Sequence, residues 1–143
     1  MTRRGISTQV RREVELRCHR RCAYCQTQQD VAGSLLTVDH IIPTMLGGSD
    51  DASNLCLACW ECNAIKQSRI SGLDASTGEH VALYRPDQDR WADHFGWPDD
   101  GRVIVGTTAS GRATVALLRL NRPVLVKARE RWVMAGWHPP ENG

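Results

Sequence analysis

Six cysteines fall in two groups, Cys18, Cys22, Cys25 and Cys56, Cys59, Cys62, separated by thirty residues. Within them stand Cys22-x-x-Cys25 and Cys59-x-x-Cys62. Two intervening residues let a tight turn aim both sulfurs at one metal, and two such turns complete a tetrahedral zinc site. A four-cysteine site keeps no open coordination position, so its task is structural. A disulfide framework competes with this reading. The chain begins without the apolar stretch of an export signal, which points to a reducing, cytoplasmic compartment where thiols persist. Cys56 shares the spacing with Cys59 but lies in the apolar run Leu55-Cys56-Leu57-Ala58, and it reads as a small buried hydrophobe. Cys18, at the end of an amphipathic stretch, reads the same way.

A second constellation lies between the cysteine pairs, in Val38-Asp39-His40-Ile41-Ile42-Pro43. Asp39 offers a hard oxygen ligand and His40 a nitrogen base. Neighbours on a strand point to opposite sides, so the two divide the work. Asp39 is assigned to a divalent cation and His40 to a water. Asn63 follows Cys62 directly, and its amide oxygen suits Mg2+ or Mn2+ rather than a soft metal. A solvated turn pair is the alternative for Asp39-His40, and the flanking cysteine pairs argue against it.

These groups need elements to position them. Residues 7–18 predict a helix with Ser7 or Thr8 as N-cap and Val10, Val14 and Cys18 toward the core. Leu35-Leu36-Thr37-Val38 predicts a short strand, Leu55 to Ala58 a second, and residues 44–53 a loop between them. A helix starting near Cys59 would carry Cys62, Asn63 and Lys66. Beyond residue 73 the pattern predicts a short helix over 87–95 and a strand over 102–107. It then predicts a helix over 111–118 and a last helix through Met134, with Asn121 and Pro123 as cap and first turn.

The motifs Cys22-Ala-Tyr-Cys25, Val38-Asp39-His40-Ile41-Ile42-Pro43, Gly47-Gly48-Ser49-Asp50, Asn54-Leu55, Cys59-x-x-Cys62-Asn63 and Lys66 together resemble the HNH endonuclease family. The resemblance spans about residues 8–70. It implies an α+β fold: a ββα-metal finger bracketed by the four-cysteine zinc site, with a packed mixed helical and strand C-terminal extension. It also implies that His40 is the general base, that Asn54 orders the loop around it, and that Asp39 and Asn63 hold the catalytic metal. Many members carry His where this chain has Asn63. This HNN pattern favours Mg2+ or Mn2+ over Zn2+ or Ni2+ at the catalytic position. Segments such as Leu83-Tyr84-Arg85-Pro86 and Leu120-Asn121-Arg122-Pro123 resemble an extension of small stand-alone bacterial HNH proteins.

Length and composition agree with these expectations. The chain has 143 residues, with 41% hydrophobic and 24% charged, the profile of one globular domain over 1–143: a core at about 8–70 and the extension at about 73–143. No apolar run approaches the roughly 18 residues that a membrane span needs. The net charge of +2 is unevenly spread. Residues 1–21 carry seven arginines against two glutamates, residues 73–101 seven acids against two arginines, and residues 102–131 seven basic side chains against Glu130. Two basic segments suit a polyanion. Arg11, Arg12, Lys66, Arg112, Arg119 and Arg122 are the candidate phosphate contacts. The expected activity is metal-dependent hydrolysis of double-stranded DNA by a monomer or homodimer, leaving 5′-phosphate and 3′-hydroxyl ends as the resemblance implies. The alternative is a zinc-ribbon nucleic-acid-binding module without catalysis.

Overall fold

The computed structural model describes residues 6–141. Arg3 and Arg4 of the first basic segment lie outside the described residues. Helix α1 (Thr8–Arg17) begins where Ser7 accepts a hydrogen bond from Val10 N, as the capping signal predicts. It turns Val14 into the core. A single-turn helix α2 (Gln29–Ala32) follows the first cysteine pair. Strands β1 (Thr37–His40) and β2 (Leu55–Ala58) form an antiparallel pair in which Asp39 faces Cys56 and His40 faces Leu55. Helix α3 (Trp60–Lys66) starts on Cys59, whose sulfur accepts from Cys62 N. This β1–β2–α3 unit is the finger that the sequence predicts.

Every residue of β2 is buried, because it is covered on both faces. Helix α1 lies along it: Arg17 donates to Leu55 O, and Cys18 Sγ accepts from Leu57 N at 3.4 Å. The first cysteine turn adds Ala23 N to Leu57 O at 2.8 Å.

The second half departs from expectation in several places. Strands β3 (Ser71–Asp74) and β4 (Glu79–Ala82) form a hairpin that the sequence pattern left unassigned. Its turn is closed by the Asp74 side chain, which accepts from Ser76 N and Thr77 Oγ1. The helix expected over 87–95 does not form. Asp89 Oδ2 accepts from Arg85 N and holds residues 85–89 in a turn, leaving only a 3-10 turn at Trp91–Asp93. The strand expected over 102–107 shrinks to β6 (Val105–Gly106), paired with β5 (Phe95–Gly96). Helices α4 (Ala109–Leu118) and α5 (Pro123–Ala135) lie close to prediction, with Pro123 in the first turn of α5. Asn121 does not cap α5. Its side chain instead grips the backbone of one residue of the neighbouring loop, accepting from Ile104 N and donating to Ile104 O, both at 2.8 Å.

The hydrophobic cluster is continuous across both halves. It runs from Val14, Tyr24, Leu55 and Leu57 to Tyr84, Trp91, Phe95, Ile104, Leu118 and Leu120. Trp91 Nε1 donates to Tyr24 O at 2.9 Å and ties the extension to the first cysteine turn. Among the described residues no helix is long and apolar enough to cross a membrane.

Candidate active site and metal centre

The sulfurs of Cys22, Cys25, Cys59 and Cys62 lie within 4.8 Å of one another, and those of Cys25 and Cys59 are 3.7 Å apart. A tetrahedron of sulfurs about 2.3 Å from zinc has edges of roughly 3.8 Å, so the cluster has the size of a zinc site. Its surroundings suit thiolates: Cys25 N donates to Cys22 Sγ, Cys62 N to Cys59 Sγ, and Thr27 Oγ1 lies 3.1 Å from Cys25 Sγ. The four cysteines are compatible with structural zinc. Cys56 is buried 3.7 Å from the Tyr24 hydroxyl and Cys18 is half-buried against β2. Neither belongs to the cluster, and burial pushes both thiols up from the ordinary range.

The strand β1 and the loop after it carry the second group. His40 Nε2 lies 2.7 Å from Asp50 Oδ1. The loop that brings Asp50 back to His40 is tied by Asn54, whose Oδ1 accepts from Ile42 N at 2.9 Å. Its Nδ2 donates to Ile42 O at 3.0 Å and to Ser49 O at 2.8 Å. Gly48 packs so closely here that a Cβ would stand 1.7 Å from Ile42 O, which excludes any other residue in this conformation. Asn54 thus holds the backbone of Ile42 at both its N–H and its carbonyl and ties it to Ser49.

Asp39 lies on the other side of β1 and is only 6% exposed. Its Oδ2 accepts from Tyr24 Oη at 2.9 Å and lies 3.4 Å from Lys66 Nζ. Burial pushes the Asp39 carboxyl up from its ordinary range, and Lys66 and Tyr24 pull against that shift. Both contacts use Oδ2, so Oδ1 is the atom left to coordinate. Asn63 is held on the same side, where Nδ2 donates to Thr37 Oγ1 at 3.3 Å and leaves the amide oxygen as its remaining ligand atom. A carboxylate oxygen from β1 and an amide oxygen from α3 are hard donors, of the kind a divalent cation takes.

A strand pair with His40 at its end, Asn54 across the loop and Asn63 on the following helix is thus in place. Residues 22–69 match the HNH endonuclease family model. The HNH segment covers about a third of the chain and contains both cysteine pairs, the β1–β2–α3 finger and its loop. It likens the finger to nucleases, whose substrate is nucleic acid. No curated protein and no solved structure gives a significant match to the chain.

The candidate phosphate contacts divide sharply. Arg12 and Arg119 are exposed. Arg11 is half-buried, donating to Leu36 O at 2.7 Å and pairing with Glu15 at 3.1 Å. Three others are engaged within the chain. Lys66, 2% exposed, is carried inward by α3 to Asp39 and to His40 O. Arg112 forms a two-pronged pair with Asp74, both contacts 3.0 Å. Arg122, 9% exposed, lies against the cysteine cluster. Sequence reasoning also gave Asp50 no role. Its only signal was the polar loop Gly47-Gly48-Ser49-Asp50, and the tie by Asn54 is what brings it to His40. His94 sits on no helix. It packs beside Tyr84 and Phe95 and bonds Thr108 Oγ1 at 2.7 Å, a structural placement.

Proposed function

We propose that the protein is a metal-dependent DNA endonuclease that hydrolyses phosphodiester bonds in a duplex with His40 as general base. The supporting observation is the His40–Asp50 pair, held by a cross-tied loop within the segment that matches HNH endonucleases. The imidazole takes the proton from an attacking water. Asp50 orients the ring and stabilises the imidazolium that forms. Asp39 and Asn63 would be the residues that hold Mg2+ or Mn2+. When bound, that ion neutralises charge developing on the phosphate and the leaving 3′ oxygen. Lys66 keeps the buried Asp39 carboxylate ionised and fixed in orientation. In-line attack on phosphorus leaves 5′-phosphate and 3′-hydroxyl ends. Zinc on Cys22, Cys25, Cys59 and Cys62 is structural.

The whole chain, 1–143, acts as one cytoplasmic domain, with the thiolates kept reduced. A monomer cuts one strand per encounter, and a homodimer is needed to cut both at once. The test is nicking of supercoiled plasmid with Mg2+ beside EDTA, in the wild type and three variants. His40→Ala should lose about 10²–10⁴ of the rate, the usual share of a general base, and Mn2+ should not restore it. Asp39→Ala and Asn63→Ala should be partly restored by raised Mn2+, because a weakened site can be filled by mass action. Near-normal cleavage by His40→Ala, or equal metal rescue of all three, would overturn these roles.

A further inference from the structure

Arg122 occupies the junction between α4 and α5. Arg119, in the left-handed conformation at φ 52°, ends α4 and turns the chain back toward the finger. The Arg122 guanidinium then reaches the cysteine cluster. Nη2 lies 3.5 Å from Cys59 Sγ and 3.7 Å from Cys62 Sγ, and Nη1 lies 3.7 Å from Cys62 Sγ. The remaining donors are also engaged: Nη1 with Leu118 O at 3.3 Å and Arg119 O at 3.2 Å, and Nε with Glu61 Oε1 at 3.2 Å. Among the described residues it is the cation within hydrogen-bond reach of the cluster's sulfurs.

Against neutral thiols, the exposed Glu61 carboxylate on Nε is the counter-charge that this buried guanidinium would keep. Against four thiolates around one Zn2+, whose net charge is about −2, the same placement is compensated more fully. Hydrogen bonds to ligand sulfur also withdraw electron density, making each sulfur less basic and slower to take up a proton and leave the metal. The positive charge comes from the extension and the sulfurs from the finger.

We propose that Arg122 is the charge partner of the zinc tetrathiolate, so that docking of the α4–α5 junction sets how firmly the finger retains its metal. This rests on zinc occupancy of the cluster, which elemental analysis of the wild-type protein tests separately. Arg122 is thus a positioning residue for the metal centre and takes no part in phosphate binding.

The experiment follows zinc transfer from the full-length, zinc-loaded protein to an excess of chromogenic chelator. R122Q should transfer zinc about 10–100-fold faster, the usual effect of losing an outer-shell partner. R122K, which keeps the charge but loses the fork of donors, should fall between. In the Co2+-substituted protein the sulfur-to-metal charge-transfer band of R122Q should move to longer wavelength, a change that loosened packing alone does not produce. R112Q breaks the pair that holds the same helix α4 to Asp74 without touching a sulfur, and should transfer zinc at the wild-type rate. A zinc-bearing R122Q with wild-type transfer and an unmoved band overturns the proposal, as does equal acceleration in R112Q. Should R122Q fail to fold, R122K decides, and wild-type transfer there refutes the idea. A wild-type protein without zinc overturns the metal reading itself, and this proposal with it.

Discussion

Replacing Asn54 with alanine isolates what the loop contributes to the His40–Asp50 pair. The substitution removes three hydrogen bonds, to Ile42 N, Ile42 O and Ser49 O, while leaving every other backbone bond of the loop in place. At a net ~1 kcal/mol each, the loop over residues 41–54 should open about 3 kcal/mol more easily. At roughly 1.4 kcal/mol per factor of ten, that is a rise of about a hundredfold in the open population. The amides to follow are Leu46 and Gly48, which both donate to Pro43 O and are not themselves altered. Their hydrogen exchange should accelerate by about that factor in Asn54→Ala. The amides of Cys22 and Ala23, bonded to Thr27 O and Leu57 O in the cysteine turn, should keep their rates. Cleavage should fall in parallel, because Asp50 no longer stays on His40. Unchanged exchange at Leu46 and Gly48 would refute the idea that Asn54 ties the loop. Equal acceleration of all four amides would show a global loss of stability in its place.

Further outcomes are expected. Cys22→Ser should lose zinc and unfold or aggregate, whereas Cys56→Ser should keep one zinc per chain, measured by elemental analysis and circular dichroism. Arg112 holds the Asp74 carboxyl at about 2, well below its ordinary range, so the pair's stabilisation is complete above ordinary carboxylate values and disappears as pH falls toward 2. Acid unfolding of Arg112→Gln, followed by fluorescence, should therefore be flatter than that of the wild type over that interval. Reversing both exposed arginines, Arg12→Glu with Arg119→Glu, should weaken all duplexes alike and reduce the slope of log K against log salt, and an unchanged slope would exclude them as phosphate contacts.

How much of this was legible in the sequence depended on whether the signal was local. The cysteine cluster was, because each Cys-x-x-Cys turn is set by four consecutive residues and two of them suffice for one metal. Helix α1 was legible from its serine cap, α5 from its first-turn proline, and β2 from its apolar run. The helix expected over 87–95 failed because Asp89 folds back on Arg85 N, a bond that a periodicity pattern does not register. The roles of the cations were the least legible part. Lys66, Arg112 and Arg122 look alike as positive charges in a string of letters, yet their partners are a buried carboxylate, a turn aspartate and two sulfurs. Each partner lies 27 or more positions away, and only the folded chain makes the pairing visible. Asp50 became legible only with the tie made by Asn54.

The core shared between the halves bears on portability. Laboratory fusions often borrow a nuclease finger as a cassette, cutting at the edge of the recognisable motif. Here that cut, near residue 70, would strip Tyr24 and Leu57 of Trp91, Phe95 and Leu118, and would strip two sulfurs of their guanidinium. The transplantable unit is therefore the finger together with its extension, and a chimera should not take its junction from the motif boundary.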